Sequence, residues 1–297
     1  MKASQIIPNR RVAILLKAPF GFGKTCAACS FACLGDVYLA YFDKATPIEL
    51  HTFFHKIKRA DLLDRIEYES FSGKNPNEYI NKLVKLGREP GKYAAVITDS
   101  ITFLTDASVN WSMSFRSKGD SKKKKEKDSD EFIPGFDDYK TETGLVSQAL
   151  DLSKSLGCIV VWTAHPLATI KVEGSGSSMN ITKTTSIVSY GSKVGSMAPG
   201  AFNEIYHIGR QVDKRIVYTD TIGDDFAKTS LPLPMSFDIT NRLFAEVWTE
   251  ELDKALERPE RKEVQNEQSI VNTQSEIQSF TPQITFPTKE GQTRWKV

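Results

Sequence analysis

The stretch VAILLKAPFGFGKTCAACSFACLG, residues 12–35, decides how the rest of the chain is read. Residues 12–17 form an apolar run of the kind that makes a buried strand. A Pro- and Gly-containing turn follows, then Gly-Lys-Thr, and then a pattern of small residues at helical spacing. Strand, glycine turn and helix in this order match a phosphate-binding loop, G-x-x-x-x-G-K-[ST], with Ala18 at the first position and Gly23, Lys24 and Thr25 at the last three. Gly21 and Gly23 let backbone N–H groups turn inward around phosphate oxygens. The helix from Lys24 aims its positive end at the same place. Lys24 is expected to reach the β- and γ-phosphates of a nucleotide and Thr25 to ligate Mg²⁺. The candidate nucleotide contacts are therefore Ala18, Pro19, Phe20, Gly21, Phe22, Gly23, Lys24, Thr25 and Cys26. Whether Ala18 costs anything depends on whether its backbone needs a positive φ.

A phosphate loop of this kind calls for a second element, an apolar strand ending in an acidic residue that holds the metal through water. YAAVITDSIT supplies it, with Asp99 at the strand end. Asp-Ser after a strand also suits a helix N-cap. Further strand candidates are residues 37–43, 65–71 and 158–164. Helical candidates are 24–34, 47–59, 76–88, 103–115 and 137–156, the last with Leu145, Ala149, Leu152 and Leu156 at helical spacing. This alternation predicts crossover units and a mainly parallel sheet in an α/β domain. Downstream of residue 214 the pattern changes to KRIVYTDTI and RLFAEVW, read as short strands extending the sheet in antiparallel fashion.

Composition sets the outer limits. With 297 residues, 40% hydrophobic and 26% charged, and a formal net charge of +2, the chain suits one large α/β domain with appendages, and its overall charge selects no partner. Residues 1–248 are expected to form the α/β domain that carries the glycine loop, and 249–297 a short helix and a disordered tail. The first residues lack the apolar core of a secretory signal, and no run reaches the length of a membrane helix, which predicts a cytoplasmic protein without membrane contact. Cys26, Cys29 and Cys33 share one helical face and Cys158 opens a strand. No second ligand pair makes a zinc site of them, so core thiols are expected. Two polar stretches interrupt the domain: a basic, mobile loop at 116–135 and a Gly/Ser/Thr-rich loop or loose hairpin at 172–200.

The phosphate loop, ITDSIT, GFDDYK, CIVVWTAH and GAFNEIYHIGR … FAKTSLPLPMSFDIT together resemble the phage AAA-domain ATP-binding proteins with a RecA-like core, a group that includes RecA-like single-strand annealing proteins. The resemblance covers residues 10–245 and implies a RecA-like P-loop NTPase fold, ATP and Mg²⁺ as cofactors, and ATP hydrolysis. It also implies that the strand after the Asp99 strand ends in a polar γ-phosphate sensor leading into a DNA-binding loop; His165 stands there. A catalytic carboxylate is implied past the strand that follows the loop helix, often as Asp-x-Glu. Here Asp43 is present and Ala45 replaces the glutamate, so either Asp43 or Glu69 polarises the attacking water, and both weak and DNA-stimulated turnover stay open. RecA-like subunits complete one another's sites with a basic residue. Lys228 matches the family's lysine, Ser230 replaces its arginine, and Lys214 and Arg215 are the other candidates.

The implied partners are single-stranded DNA and further copies of the chain, as a ring or filament. Lys122 to Lys125 could track phosphates, with Lys183, Lys193 and Tyr190 in the second loop, although EKDSDE follows the lysine block at once and partly cancels it. Phe280, Phe286 and Trp295 punctuate the polar tail, which reads first as an inert solubilising segment and second as a docking segment for a single-strand binding protein. The expected function is an ATPase acting on single-stranded DNA in recombination, annealing or repair. One alternative is an ATP-gated loading or assembly factor. The other is a small-molecule kinase, disfavoured because no second substrate signature is present.

Overall fold

Four of the apolar runs become strands buried along their whole length: β1 (Ala13–Lys17), β2 (Val37–Tyr41), β4 (Ala95–Asp99) and β5 (Ile159–Ala164). The fifth, β3 (Ile66–Ser70), lies at the sheet edge and is partly exposed. In this computed structural model the described residues are 12–116, 134–173, 180–221 and 226–257. The Lys122–Lys125 block, and with it nearly all of the basic loop, falls outside them, as does the tail after Glu257.

Helices cross between the strands: α1 (Lys24–Cys29), continued by a 3-10 turn at Ser30–Cys33, α2 (Ile48–Lys56), α3 (Pro76–Gly87), α4 (Ile101–Arg116) and α5 (Phe136–Ser155). α3 starts where its sequence dictates. Asn75 is the N-cap, accepting from the Asn77 N–H at 3.0 Å, and Pro76 fills the first helical position, where a missing N–H costs nothing.

The sheet has eight strands in the order β10-β9-β8-β1-β5-β4-β2-β3. From β8 (Glu204–Gln211) to β3 every pairing is parallel. β9 (Lys214–Tyr218) and β10 (Ser236–Asp238) add an antiparallel extension. The position of β5 matters most. Val160 lies opposite both Ala13 of β1 and Val96 of β4, so β5 stands between the strand that feeds the glycine loop and the strand that ends at Asp99.

Strand alternation divides the core into two layers. Ile14, Leu16, Leu39, Ile97 and Val161 pack with Phe31, Phe54 and Trp248. Leu15, Tyr38, Val96, Val160 and Trp162 pack with Tyr79, Leu83, Val146 and Leu150. Cys26 and Cys29 belong to the first layer. Burial pushes the Cys26 thiol up to about 12 and that of Cys29 well above its ordinary value, so both stay protonated core groups.

Three local readings are decided by the structure. RLFAEVW is not a strand: Phe244–Glu257 form helix α7, which crosses the boundary expected at residue 248. Phe244, Trp248 and Leu252 repeat every fourth residue and are buried, and the Trp248 Nε1–H donates to the Tyr206 hydroxyl at 3.0 Å. Of the two readings of the Gly/Ser/Thr-rich segment, the hairpin is the one formed. β6 (Pro166–Glu173) and β7 (Asn180–Ile187) pair as a two-stranded antiparallel ribbon, and helix α6 (Ser192–Met197) follows. Finally, α1 is a short α-helix whose last turn tightens to 3-10 at Ser30, whose Oγ donates to the Ala27 carbonyl at 2.6 Å and accepts from the Ala245 N–H of α7 at 2.8 Å.

Candidate phosphate-binding site

The C-terminal ends of β1, β5, β4 and β2 open into a cleft of about 710 Å³. Its floor is the glycine loop. Gly21 (φ +75°) and Gly23 (φ +79°) occupy left-handed conformations that favour glycine. Ala18 has no positive φ and is fully buried, with its N–H donating to Ala164 O at 3.2 Å, so alanine fits the first motif position without strain. Pro19, Phe20 and Gly21 form the exposed crest of the loop, Phe22 is half-buried, and Cys26 lines the cleft wall while its thiol belongs to the core.

Lys24 is 6% exposed, and its ammonium donates to the carbonyls of Ala18 (2.8 Å) and Pro19 (3.0 Å). Burial lowers its pKa to about 8, against the opposing pull of Asp99. The lysine is thus charged at neutral pH but poorly solvated, and a phosphate oxygen is the partner that its environment lacks.

Thr25 and Asp99 are in contact, the threonine hydroxyl donating to Asp99 Oδ2 at 2.5 Å. The other carboxylate oxygen accepts from the Thr163 hydroxyl of β5. Burial pushes the Asp99 carboxyl above its usual range, while the two hydroxyl donors and Lys24 pull it back. The Asp99–Ser100 peptide is cis. A hard divalent cation prefers such a hydroxyl and carboxylate pair beside phosphate oxygens, so the donor set fits Mg²⁺.

His165 follows β5 directly and therefore sits between the glycine loop and the Asp99 strand. It is 6% exposed, stacks on Phe20 with ring centroids 3.7 Å apart, and meets the edge of Phe103 at 5.8 Å. Among the described residues its Nδ1 has no hydrogen-bond partner. Burial, and then the Lys24 charge, lower its pKa to about 4, so the ring is neutral at physiological pH and carries one donor and one acceptor. Its carbonyl accepts from the Val188 N–H just past the β6–β7 ribbon at 2.9 Å, which ties the ribbon base to the cleft.

Asp43 lines the same cleft, beyond β2, and its charge acts on both Asp99 and His165. Its Oδ1 accepts from the N–H groups of Lys44 (2.6 Å) and Ala45 (3.4 Å). Glu69 is not brought to the site. It lies opposite Ala40 in the register, on the other face of the sheet, where it accepts from Tyr38 at 2.8 Å and pairs with Lys82 at 3.0 Å and Lys74 at 3.6 Å. Of the two carboxylates open from sequence, only Asp43 is at the cleft. Lys228 is likewise absent from its lining; its backbone forms an antiparallel bridge with Ile205.

From sequence, Lys214 and Arg215 were candidates only for a neighbouring copy's site, and the rest of the far wall carried no signal. Arg210, Asp213, Lys214 and Arg215 of the β8–β9 hairpin, with Thr240 and Asn241, close the cleft beside the loop. A Cβ on Gly23 would lie 2.9 Å from a guanidinium nitrogen of Arg215, so the arginine rests on the loop of its own chain. No local pattern could have found this contact, because 191 residues separate Arg215 from Lys24.

Comparison with known proteins adds little. No family model and no curated protein matches the chain. Among solved structures, one described as "Crystal structure of the RadB recombinase" is similar over 79% of this chain and 90% of that one, at 14% identity and a TM-score of 0.43. A likeness of that size carries no functional argument.

Proposed function

We propose that this chain is a RecA-like P-loop ATPase that binds Mg²⁺·ATP in the cleft and acts on single-stranded DNA as a homo-oligomer. The observation that carries the reading is the convergence of four groups from three segments on one glycine loop: Lys24 and Thr25 after β1, Asp99 at the end of β4, and His165 after β5.

In this reading the N–H groups of the loop and Lys24 hold the β- and γ-phosphates. Thr25 and Asp99 would hold Mg²⁺, which when bound would supply charge neutralisation at the phosphoryl oxygens. Asp43 orients the attacking water and accepts its proton. The neutral His165 donates a hydrogen bond to the terminal phosphate, and loss of that phosphate frees the ring to reposition. Because the ribbon starts at Pro166 and its base is bonded to the His165 carbonyl, movement of the ring is transmitted to β6–β7. Single-stranded DNA contacts the ribbon side of the molecule, and a basic residue of a neighbouring copy, Lys228 or Lys214, completes the site. A single-strand binding protein docks on the tail. Among the described residues no helix is long and apolar enough to cross a membrane.

One observation favours a second reading. Asp43 spends one oxygen on its own turn, and the position two residues on is Ala45. An ATP-gated loading factor, with binding as the signal and slow turnover as the reset, fits such a site. Phosphate release with and without single-stranded DNA, at two salt concentrations, separates the two. Stimulation that weakens as salt rises supports the DNA-acting ATPase. Nucleotide binding with turnover indifferent to DNA supports the loading factor.

A further inference from the structure

Resting on the P-loop reading, the structure points to a residue that it does not require: we propose that Arg215 binds the diphosphate part of the nucleotide in cis, from within the same chain. Sequence pattern offers it only as a finger reaching into a neighbour's site.

Three observations carry the inference. The first is place. The guanidinium rests 2.9 Å from where a Gly23 side chain would start and lines the cleft with Cys26, Thr240 and Asn241. Its charge also acts on Cys26, in the first turn of the helix that the loop feeds. An arginine here meets the phosphates that ADP and ATP share.

The second is chemistry. Among the described residues, no carboxylate pairs with the Arg215 side chain and no hydrogen bond engages it. Its neighbour Lys214 pairs with Asp238 at 3.8 Å instead. A planar guanidinium without a partner, facing a phosphate loop, matches two phosphate oxygens at once.

The third is rigidity. The Arg215 N–H donates to Thr240 Oγ1 at 2.7 Å, and its carbonyl accepts from the Ile239 N–H at 2.9 Å. The strand that carries the arginine is therefore fixed to the β10–α7 turn, with little freedom lost on binding. Gly23 is needed twice here, for its left-handed backbone and for the room it leaves the guanidinium.

A cis diphosphate contact and a trans finger predict different kinetics. The cis contact is made equally to ADP, to ATP and in the transition state, so it sets affinity and KM and leaves kcat little changed. A finger acts on the transferring group, so it sets kcat and leaves ADP affinity alone.

The test is equilibrium titration of Mg²⁺·ADP and a non-hydrolysable ATP analogue into the wild type and into Arg215→Ala, Arg215→Lys and Lys24→Ala, with kcat and KM measured alongside. Circular dichroism melts confirm that each variant is folded. Arg215→Ala is expected to weaken both nucleotides by about tenfold to a hundredfold, with Arg215→Lys between it and the wild type. If Lys24→Ala loses ADP while Arg215→Ala binds it as wild type does, the cis contact is overturned and the P-loop reading survives. A collapse in kcat at unchanged ADP affinity, rescued by mixing in Lys24→Ala subunits, overturns it in favour of a finger. If Lys24→Ala binds ADP as well as the wild type, the loop reading falls and this inference with it.

Discussion

Raising pH should weaken nucleotide binding and relieve the ligand-free protein at the same time, because both effects come from Lys24. Its pKa is lowered to about 8 from 10.5, mainly by burial. Holding the ammonium that far below its ordinary value corresponds to on the order of 3 kcal/mol against the charged form in the ligand-free fold. The native state binds this proton less tightly than the unfolded chain. The destabilisation is therefore full below about 8 and relieved as pH climbs toward 10.5. Phosphate binding works in the opposite sense, since it needs the ammonium charged. If only the protonated lysine binds, affinity is about half-maximal at pH 8 and falls about tenfold per unit above it, or about 30-fold between pH 7 and 9.5. The assay is fluorescent-nucleotide titration over that range. Cys26 does not confuse the result, because burial pushes its thiol up to about 12. Lys24→Arg keeps its charge and should show no such fall, whatever its affinity at pH 7. Affinity that stays flat to pH 9.5 in the wild type, or falls equally in Lys24→Arg, would refute the reasoning.

Three further outcomes follow from named contacts. Asp99→Asn removes the charge of the metal pair but keeps its shape, so phosphate release should drop at least a hundredfold by a turnover assay, while nucleotide still binds with its Mg²⁺ dependence reduced. Ser30→Ala breaks the buried bonds to Ala27 and Ala245 that fasten α7 to the end of α1; it should cost about 1–3 kcal/mol in urea denaturation with nucleotide affinity retained. The His165 ring, with its pKa lowered to about 4, should keep the nitrogen shifts of a neutral imidazole in NMR spectra down to about pH 5; titration near 6.5 would contradict its burial against Phe20 and Lys24.

The glycine loop was legible because its backbone shape is set locally. Two glycines, a lysine and a threonine at fixed spacing specify a backbone shape, and Ala18 was the open question that only a φ value could answer. The parallel core was legible because strands buried on both faces read as unbroken apolar runs. RLFAEVW was not, since seven residues of mixed apolar character suit a strand or two turns of helix equally. What decides it is the buried groove lined by Phe31 and Tyr206, which receives Phe244 and Trp248. Glu69 failed as a candidate for a reason of parity. The register sets it opposite Ala40, and a strand side chain on the wrong face cannot reach a cleft on the other. Arg215 reached the loop through pairing of β9 at the far end of the sheet, which no window of sequence contains.

The central claim is that this cleft binds Mg²⁺·ATP through the glycine loop and Lys24, and titration calorimetry tests it most directly. Wild-type protein is expected to bind one Mg²⁺·ATP per chain, with affinity reduced by EDTA and lost in Lys24→Ala at unchanged fold. Equal binding by the two proteins, or no binding by the wild type, would contradict it.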